Sequence, residues 1–118
     1  MSSERYLRQG IIPSIGARGQ ANLSAASVFV VGCGGLGSAL LYDLACMGIG
    51  RIGFTDGDTV SKSDLNRQFL HTTSDIGRRK ADSALEKLTA LNPEIVFAPH
   101  SERLNAANAA TLLSGYDV

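Results

Sequence analysis

Residues 28–37, reading Val-Phe-Val-Val-Gly-Cys-Gly-Gly-Leu-Gly, constrain this chain more than any other stretch. A β-branched and aromatic run breaks into Gly-x-Gly-x-x-Gly at Gly32, Gly34 and Gly37, and Leu40, Leu41 and Leu44 follow at helical spacing. That pattern predicts a buried strand turning tightly into a helix. Glycines in such a turn, Gly35 included, let backbone N–H groups approach an anion without interference from Cβ atoms. The helix that follows presents its positive end at the same spot, so the natural ligand is a phosphate. Glycine turns also arise for packing alone, and the motif gains meaning from its context: a strand before it, a helix after it and an acidic residue ending the next strand.

The remainder of the chain supplies that context. Residues 16–24 read as a short helix leading into the first strand, and residues 38–47 as the helix after the turn, stopped by Gly48 and Gly50. A second strand is expected over 51–55, ending in Asp56-Gly57-Asp58. A polar connection over 59–75 lacks clear periodicity, and a loop of that length in a compact domain is often functional. Residues 77–91 place Ala81, Ala84, Leu85, Leu88 and Leu91 at three- and four-residue steps, an amphipathic helix closed by Asn92-Pro93. A third strand over 95–98, a helix capped by Asn105 and ended by Gly115, and Tyr116-Asp117-Val118 as the opening of a fourth strand complete the pattern.

Strands alternating with helices predict an α/β fold, a Rossmann-like parallel sheet with helices on both faces. The sheet is expected to be incomplete, because the chain stops at the start of its fourth strand, which suggests a truncated product or a fragment. The expected division is an N-terminal arm with a short helix over 1–24 and a nucleotide-binding domain over 25–118. In the arm, residues 2–9, composition favours a frayed terminus.

Composition bounds the chemistry. At 118 residues the chain is one domain, and a formal net charge of +0 gives no global field toward nucleic acid or an anionic membrane. Cys33 and Cys46, with no Cys-x-x-Cys pair, predict a reduced compartment with neither a disulfide framework nor a zinc site. Both are read as packing residues, and His71 as a loop residue without a metal-spaced partner. No basic start precedes an apolar run, and no apolar run approaches the ~20 residues of a membrane span, so a cytoplasmic location is expected.

The phosphate-loop ATPase pattern fails, since Ser38 stands where its lysine should be, and a triphosphate must find its cations elsewhere. Asp56 is placed either to accept from ribose hydroxyls or to form a turn before Gly57; Asp58 either adds a second carboxylate or caps the loop. Arg67 and Lys80 discriminate among nucleotide chemistries. A dinucleotide dehydrogenase needs no two cations at the far end of a triphosphate, whereas nucleotidyl transfer must neutralise charge on the reacting phosphorus and on leaving pyrophosphate. Lys80 opposes the positive end of its own helix, so an anion is expected to compensate it; the alternative is a solvated basic cluster, Arg78-Arg79-Lys80. A nicotinamide-dependent oxidoreductase, and an inactive remnant that only dimerises or binds a carrier protein, stay open on these residues.

Several motifs occur together in order and spacing: Arg5-Tyr6-x-Arg8-Gln9, Ile15-Gly16-x-x-Gly19-Gln20, the glycine turn, Asp56-x-Asp58, Leu65-Asn66-Arg67-Gln68, Asp75-Ile76-Gly77 followed by Lys80, and Leu91-Asn92-Pro93. In this the chain resembles the ubiquitin-activating-enzyme superfamily, and most of all its bacterial adenylyltransferases of molybdopterin-synthase and thiamine biosynthesis. The resemblance implies adenylation, at the expense of MgATP, of the C-terminal glycine carboxylate of a small ubiquitin-like sulfur-carrier protein. It places Gly35 against the nucleotide, Asp56 on the ribose, Ser63, Asp64, Leu65 and Asn66 along the nucleotide, and Arg67 with Lys80 on the phosphates. It sends Arg8 into the neighbouring subunit's site of a homodimer. Two positions depart from the pattern: Asp64 replaces an asparagine and adds negative charge beside the triphosphate, and Arg79 replaces a proline. The family's magnesium-binding aspartate, zinc cysteines and sulfur-accepting cysteine all lie beyond the matched positions, so zinc would belong only to a longer form.

Overall fold

The computed structural model describes residues 4–118, so Ser2 and Ser3 of the predicted arm lie outside the described residues. The order is α1 (Leu7–Gly10), α2 (Gly16–Ala25), β1 (Ser27–Val31), α3 (Gly35–Met47), β2 (Arg51–Thr55), α4 (Lys80–Leu91), β3 (Val96–His100) and α5 (Ala109–Leu113). The strands form one parallel sheet in the order β1-β2-β3, with Val28 opposite Ile52 and Ile52 opposite Phe97.

That register puts Val30, Ile52 and Phe54 on one face, where they meet Leu41 and Ala45 of α3 and Ala81, Ala84 and Leu88 of α4 in a single buried cluster. Two βαβ crossovers therefore lay their helices side by side on the same face. The opposite face, at Gly53, receives Tyr116: a Cβ on Gly53 would collide with the Tyr116 ring and with Phe29, so only glycine fits beneath it. Tyr116 also meets the Phe29 ring edge-on at 5.2 Å and carries the Arg51 guanidinium 4.2 Å above its own ring.

The last residues run along the free side of β1. Phe29 N–H donates to the Val118 carbonyl at 2.8 Å, and Asp117 and Val118 N–H groups donate to Ser27 O at 3.1 and 3.3 Å. These bonds give β1 a neighbour on each side, and the carboxyl end of β1 becomes the point where the winding reverses, the usual ligand crevice of an open α/β sheet.

The structure differs from the sequence expectations in places that have physical reasons. The arm is docked rather than frayed from residue 4 onward: Tyr6 is buried, Arg5 pairs with Glu94 at 3.4 Å and donates to Leu91 O at 3.0 Å. The loop over 59–75 is not featureless. It contains two short 3-10 turns, Lys62–Asp64 and Thr73–Asp75, each closed by a reciprocal cap, Ser61 with Asp64 and Thr72 with Asp75. α4 begins at Lys80 and not Gly77, because Gly77 has φ +88°, Arg79 is extended and bridges back to Thr59. β3 continues through Pro99, which an edge strand tolerates. Cys46 is exposed, not packed, while Cys33 is fully buried. Among the described residues no helix is long and apolar enough to cross a membrane.

Candidate functional site

β1 delivers the chain to Gly32, whose φ of +97° is the left-handed turn that L side chains avoid. α3 then starts at Gly35, and its first turn folds so tightly that a Cβ on Gly37 would sit on the Gly32 carbonyl oxygen. The turn thus needs glycine at both ends, and it leaves the first N–H groups of a 13-residue helix without intrahelical partners at the carboxyl edge of the sheet.

Asp56, at the end of β2, fastens this turn. Its Oδ2 accepts the Cys33 N–H at 2.8 Å and its Oδ1 accepts the Asp58 N–H at 2.8 Å. The turn-forming and ligand-facing readings of Asp56 are compatible, because a carboxylate has about four acceptor sites and two are used. Asp58 is exposed and pairs with Arg103 at 3.2 Å, while its carbonyl accepts the Lys80 N–H at 3.0 Å. A cleft of 270 Å³ opens beside these groups, lined in part by Val31, Gly32, Asp56, Asp58 and Arg103.

Lys80 is not part of a solvated basic cluster. Its side chain is only 8% exposed and lies 3.5 Å from the Asp64 carboxylate, itself 14% exposed. The counter-anion expected for a lysine at a helix start is therefore Asp64, and the charge added at that position is offset chiefly by Lys80. The Ser61 N–H, followed by Lys80, holds the Asp64 carboxyl below the usual carboxylate range. The neighbouring arginines differ: Arg78 pairs with Asp75 and Glu86, and Arg79 is exposed.

Arg67 is exposed and lies across the glycine turn, its Cγ, Cδ and Nε each 3.6 Å from where a Gly35 Cβ would be. Its Nη1 donates to Ser63 O at 3.2 Å and to Asn66 Oδ1 at 3.0 Å, so residues 63–67 form one unit around the guanidinium. Leu65 of that unit is half-buried. Gln68 next to it is buried, with its Nε2 3.5 Å from the equivalent point on Gly34. Its Oε1 lacks a partner among the described residues.

The glycine turn, Asp56 with Asp58, Lys80 with Asp64, and Arg67 thus form a continuous ring, each touching the next. Arg8 is not in it. It is exposed on α1, beside Gln9, which donates to the Met47 carbonyl at the opposite end of α3. A 13-residue helix spans roughly 20 Å, so Arg8 stands far from the glycine turn of its own chain.

Sequence reasoning did not single out Arg103, although residues just past β3 must fall at the carboxyl edge of a parallel sheet, and that rule was a sufficient signal. It also missed His71, buried with Nδ1 2.8 Å from Ser83 Oγ and Nε2 3.1 Å from Cys33 O. Cys33 is no nucleophile: burial, and then the Asp56 charge, push its thiol up to about 12. Among the described residues no group of three His, Cys, Asp or Glu side chains is arranged to hold a metal ion.

A family model, described as the ThiF family, matches residues 6–118. The adenylyltransferase and sulfurtransferase uba4 of Pyricularia oryzae is 49% identical over 98% of this chain and 24% of its own length. The probable adenylyltransferase/sulfurtransferase MoeZ of Mycobacterium tuberculosis is 46% identical over 97% of this chain and 29% of its own. This chain therefore spans about a quarter of the length of these curated relatives. Among solved structures, the E. coli tRNA N6-threonylcarbamoyladenosine dehydratase TcdA in complex with ATP superimposes with a TM-score of 0.90 at 29% identity, over 97% of this chain and 46% of that one. Strand order, glycine turn and near end-to-end sequence agreement lead to one conclusion: the chain belongs to the ThiF family.

Proposed function

We propose that this chain is the ATP-binding part of an adenylyltransferase that activates the C-terminal glycine carboxylate of a small ubiquitin-like sulfur-carrier protein. The observation that carries the reading is the pair of cations beside the glycine turn, Arg67 lying over Gly35 and Lys80, paired with Asp64, close enough for its charge to act on Cys33. A nicotinamide site has no use for two such groups. Relatives named as adenylyltransferases, and a structural neighbour holding ATP, support it.

In this reading Asp56 accepts from the ribose hydroxyls with its two remaining acceptor sites, and Asp58 lies at the mouth of the same cleft. Gly32, Gly34, Gly35 and Gly37 let the backbone approach the phosphates, and Ser63, Asp64, Leu65 and Asn66 form the wall that carries Arg67. The carrier's carboxylate attacks the α-phosphorus, a new acyl–oxygen–phosphorus bond forms, and the bond to the β-phosphate breaks with its electron pair leaving on pyrophosphate. An anion approaching a polyanion is a problem of charge repulsion, so Arg67 and Lys80 lower the barrier by neutralising charge as it shifts outward. Magnesium enters with the substrate as MgATP and supplies further neutralisation of the phosphates.

Arg8 acts in the site of a second copy, as its distance from its own glycine turn requires if it is to meet a nucleotide at all, and the working form is a homodimer. The arm over 1–24 and the domain over 25–118 then have different tasks, one docking on the domain while presenting Arg8 to a second copy and one binding nucleotide.

The test is carrier-dependent exchange of pyrophosphate into ATP by the protein. Arg67→Ala and Lys80→Ala are each expected to reduce exchange by at least about 100-fold, the scale of removing one transition-state charge partner. Undiminished exchange in both variants, or tight binding of NAD with none of ATP, refutes the reading.

A further inference from the structure

The glycine turn offers its N–H groups to an anion only if its peptide planes are held in one orientation, and one of those planes has an unusual amount of support. The Cys33 carbonyl accepts two hydrogen bonds from the protein interior, the Ser38 hydroxyl at 3.1 Å and the His71 ring at 3.1 Å. Ser38, His71 and Cys33 are all buried. Because a trans peptide directs its C=O and the following N–H to opposite sides, a Cys33 carbonyl fixed inward turns the Gly34 N–H outward.

The proton on His71 is located by its partners. A carbonyl cannot donate, so Nε2 carries the hydrogen that reaches Cys33 O. Nδ1 faces Ser83 Oγ at 2.8 Å, and Ser83 Oγ also receives Lys87 Nζ at 3.3 Å. Lys87 in turn donates to the buried Asp75 at 2.6 Å. A neutral ring with its hydrogen on Nε2 leaves Nδ1 as an acceptor, so Ser83 donates to it and the bonds run one way: Lys87 to Ser83, Ser83 to His71, His71 to Cys33. The charged groups around the ring are Lys80 and Lys87 of α4 and Asp75 of the preceding loop, with the un-ionised Cys33 thiol on the turn. Burial, and the two lysines, keep the imidazole below its ordinary titration range despite the Cys33 bond and Asp75.

We propose that His71 is a positioning residue of the nucleotide site: as the neutral, Nε2-protonated imidazole it locks the Cys33–Gly34 peptide so that the Gly34 N–H faces the bound phosphates. The proposal rests on the nucleotide-binding reading above, and it assigns His71 a task in phosphate recognition and none in recognition of the adenosine moiety.

The experiment compares wild type with His71→Gln, His71→Asn and His71→Leu, titrating MgATP and adenosine separately. A glutamine amide reaches as far as Nε2 and retains the donor to Cys33 O; asparagine reaches only as far as Nδ1. Asn and Leu are expected to weaken MgATP by about 10-fold, the scale of one buried hydrogen bond lost. Adenosine affinity stays unchanged in both, and Gln restores MgATP binding to within about 3-fold of wild type. A merely structural role would weaken both ligands together, and that result, or unchanged MgATP affinity in the Leu variant, overturns the proposal while leaving the adenylation reading intact. If wild type binds neither ligand, the adenylation reading falls. Two ligand-free measurements then still decide the state of His71: an imidazole protonated on Nδ1 by nitrogen NMR, or Gly34 amide exchange equal in wild type and His71→Leu, overturns the lock.

Discussion

The two ends of the sheet are built to opposite specifications. At the amino-terminal edge of the strands, Asn92 is 1% exposed and donates to Tyr6 Oη and Ala45 O, both at 2.8 Å, while its Oδ1 accepts the Glu94 N–H at 3.2 Å. Gln9 and Gln20 both donate to the Met47 carbonyl, closing the end of α3. At the carboxyl edge, Arg67, Asp58 and Arg103 are exposed, and the buried Gln68 Oε1 has no partner among the described residues. One edge satisfies its polar groups internally and so contributes stability; the other leaves charge and unmet hydrogen-bonding capacity where a ligand can use them.

The largest expected effect breaks the closed edge. Asn92→Leu removes a buried amide that donates to Tyr6 Oη and Ala45 O and accepts the Glu94 N–H, which should cost about 3 kcal/mol of unfolding free energy in urea titration. If the comparison holds, the fraction still folded binds MgATP as wild type does. A matching loss of affinity would mean that the two edges are not independent.

Acidification probes the groups that join the loop to α4. Burial alone would raise the Asp75 carboxyl, but hydrogen bonds from Lys87, Thr72 and Arg78 outweigh it and hold it far below the usual range. Its contribution is therefore complete above about pH 4, the unfolded carboxylate's range, and is lost as pH falls through the lower folded value. His71, also depressed, adds an earlier loss that begins below about pH 6.5, where the unfolded chain takes up a proton that the fold refuses. Urea midpoints measured across pH should show both stages, and Asp75→Asn should remove the second while lowering stability at neutral pH by about 2 kcal/mol.

The smallest effect has the opposite sign. Gln68→Leu replaces a buried amide oxygen that lacks a partner among the described residues with an apolar group of similar volume, and stability should rise by about 1 kcal/mol. A fall instead would show that the open edge is internally satisfied after all, and the contrast between the edges would fail.

What was legible in the sequence follows the same division. β2 was readable to its last residue, and α3 to its end at Met47, because alternation, apolar spacing and Gly48 are local signals. The first turn of α3 was not, since Gly35 and Gly37 are poor helix formers, and Gly37 is placed there by its close approach to Gly32. The loop over 59–75 carried Ser61 three residues before Asp64 and Thr72 three before Asp75, a capping pattern that periodicity alone passes over. The burial of Lys80 depends on Asp64, sixteen positions earlier, and that of His71 on Ser83 and Cys33; such pairings exist only once the chain has folded. The solvent-facing position of Cys46 likewise follows from which side of α3 meets the sheet.

The glycine turn carries a sulfur atom, that of Cys33, which is fully buried beneath it. Burial, and then the Asp56 charge, push its thiol up to about 12, so at neutral pH it keeps its proton. The same burial that seats this residue under the turn thereby keeps its sulfur from capturing an acyl group activated in the cleft outside.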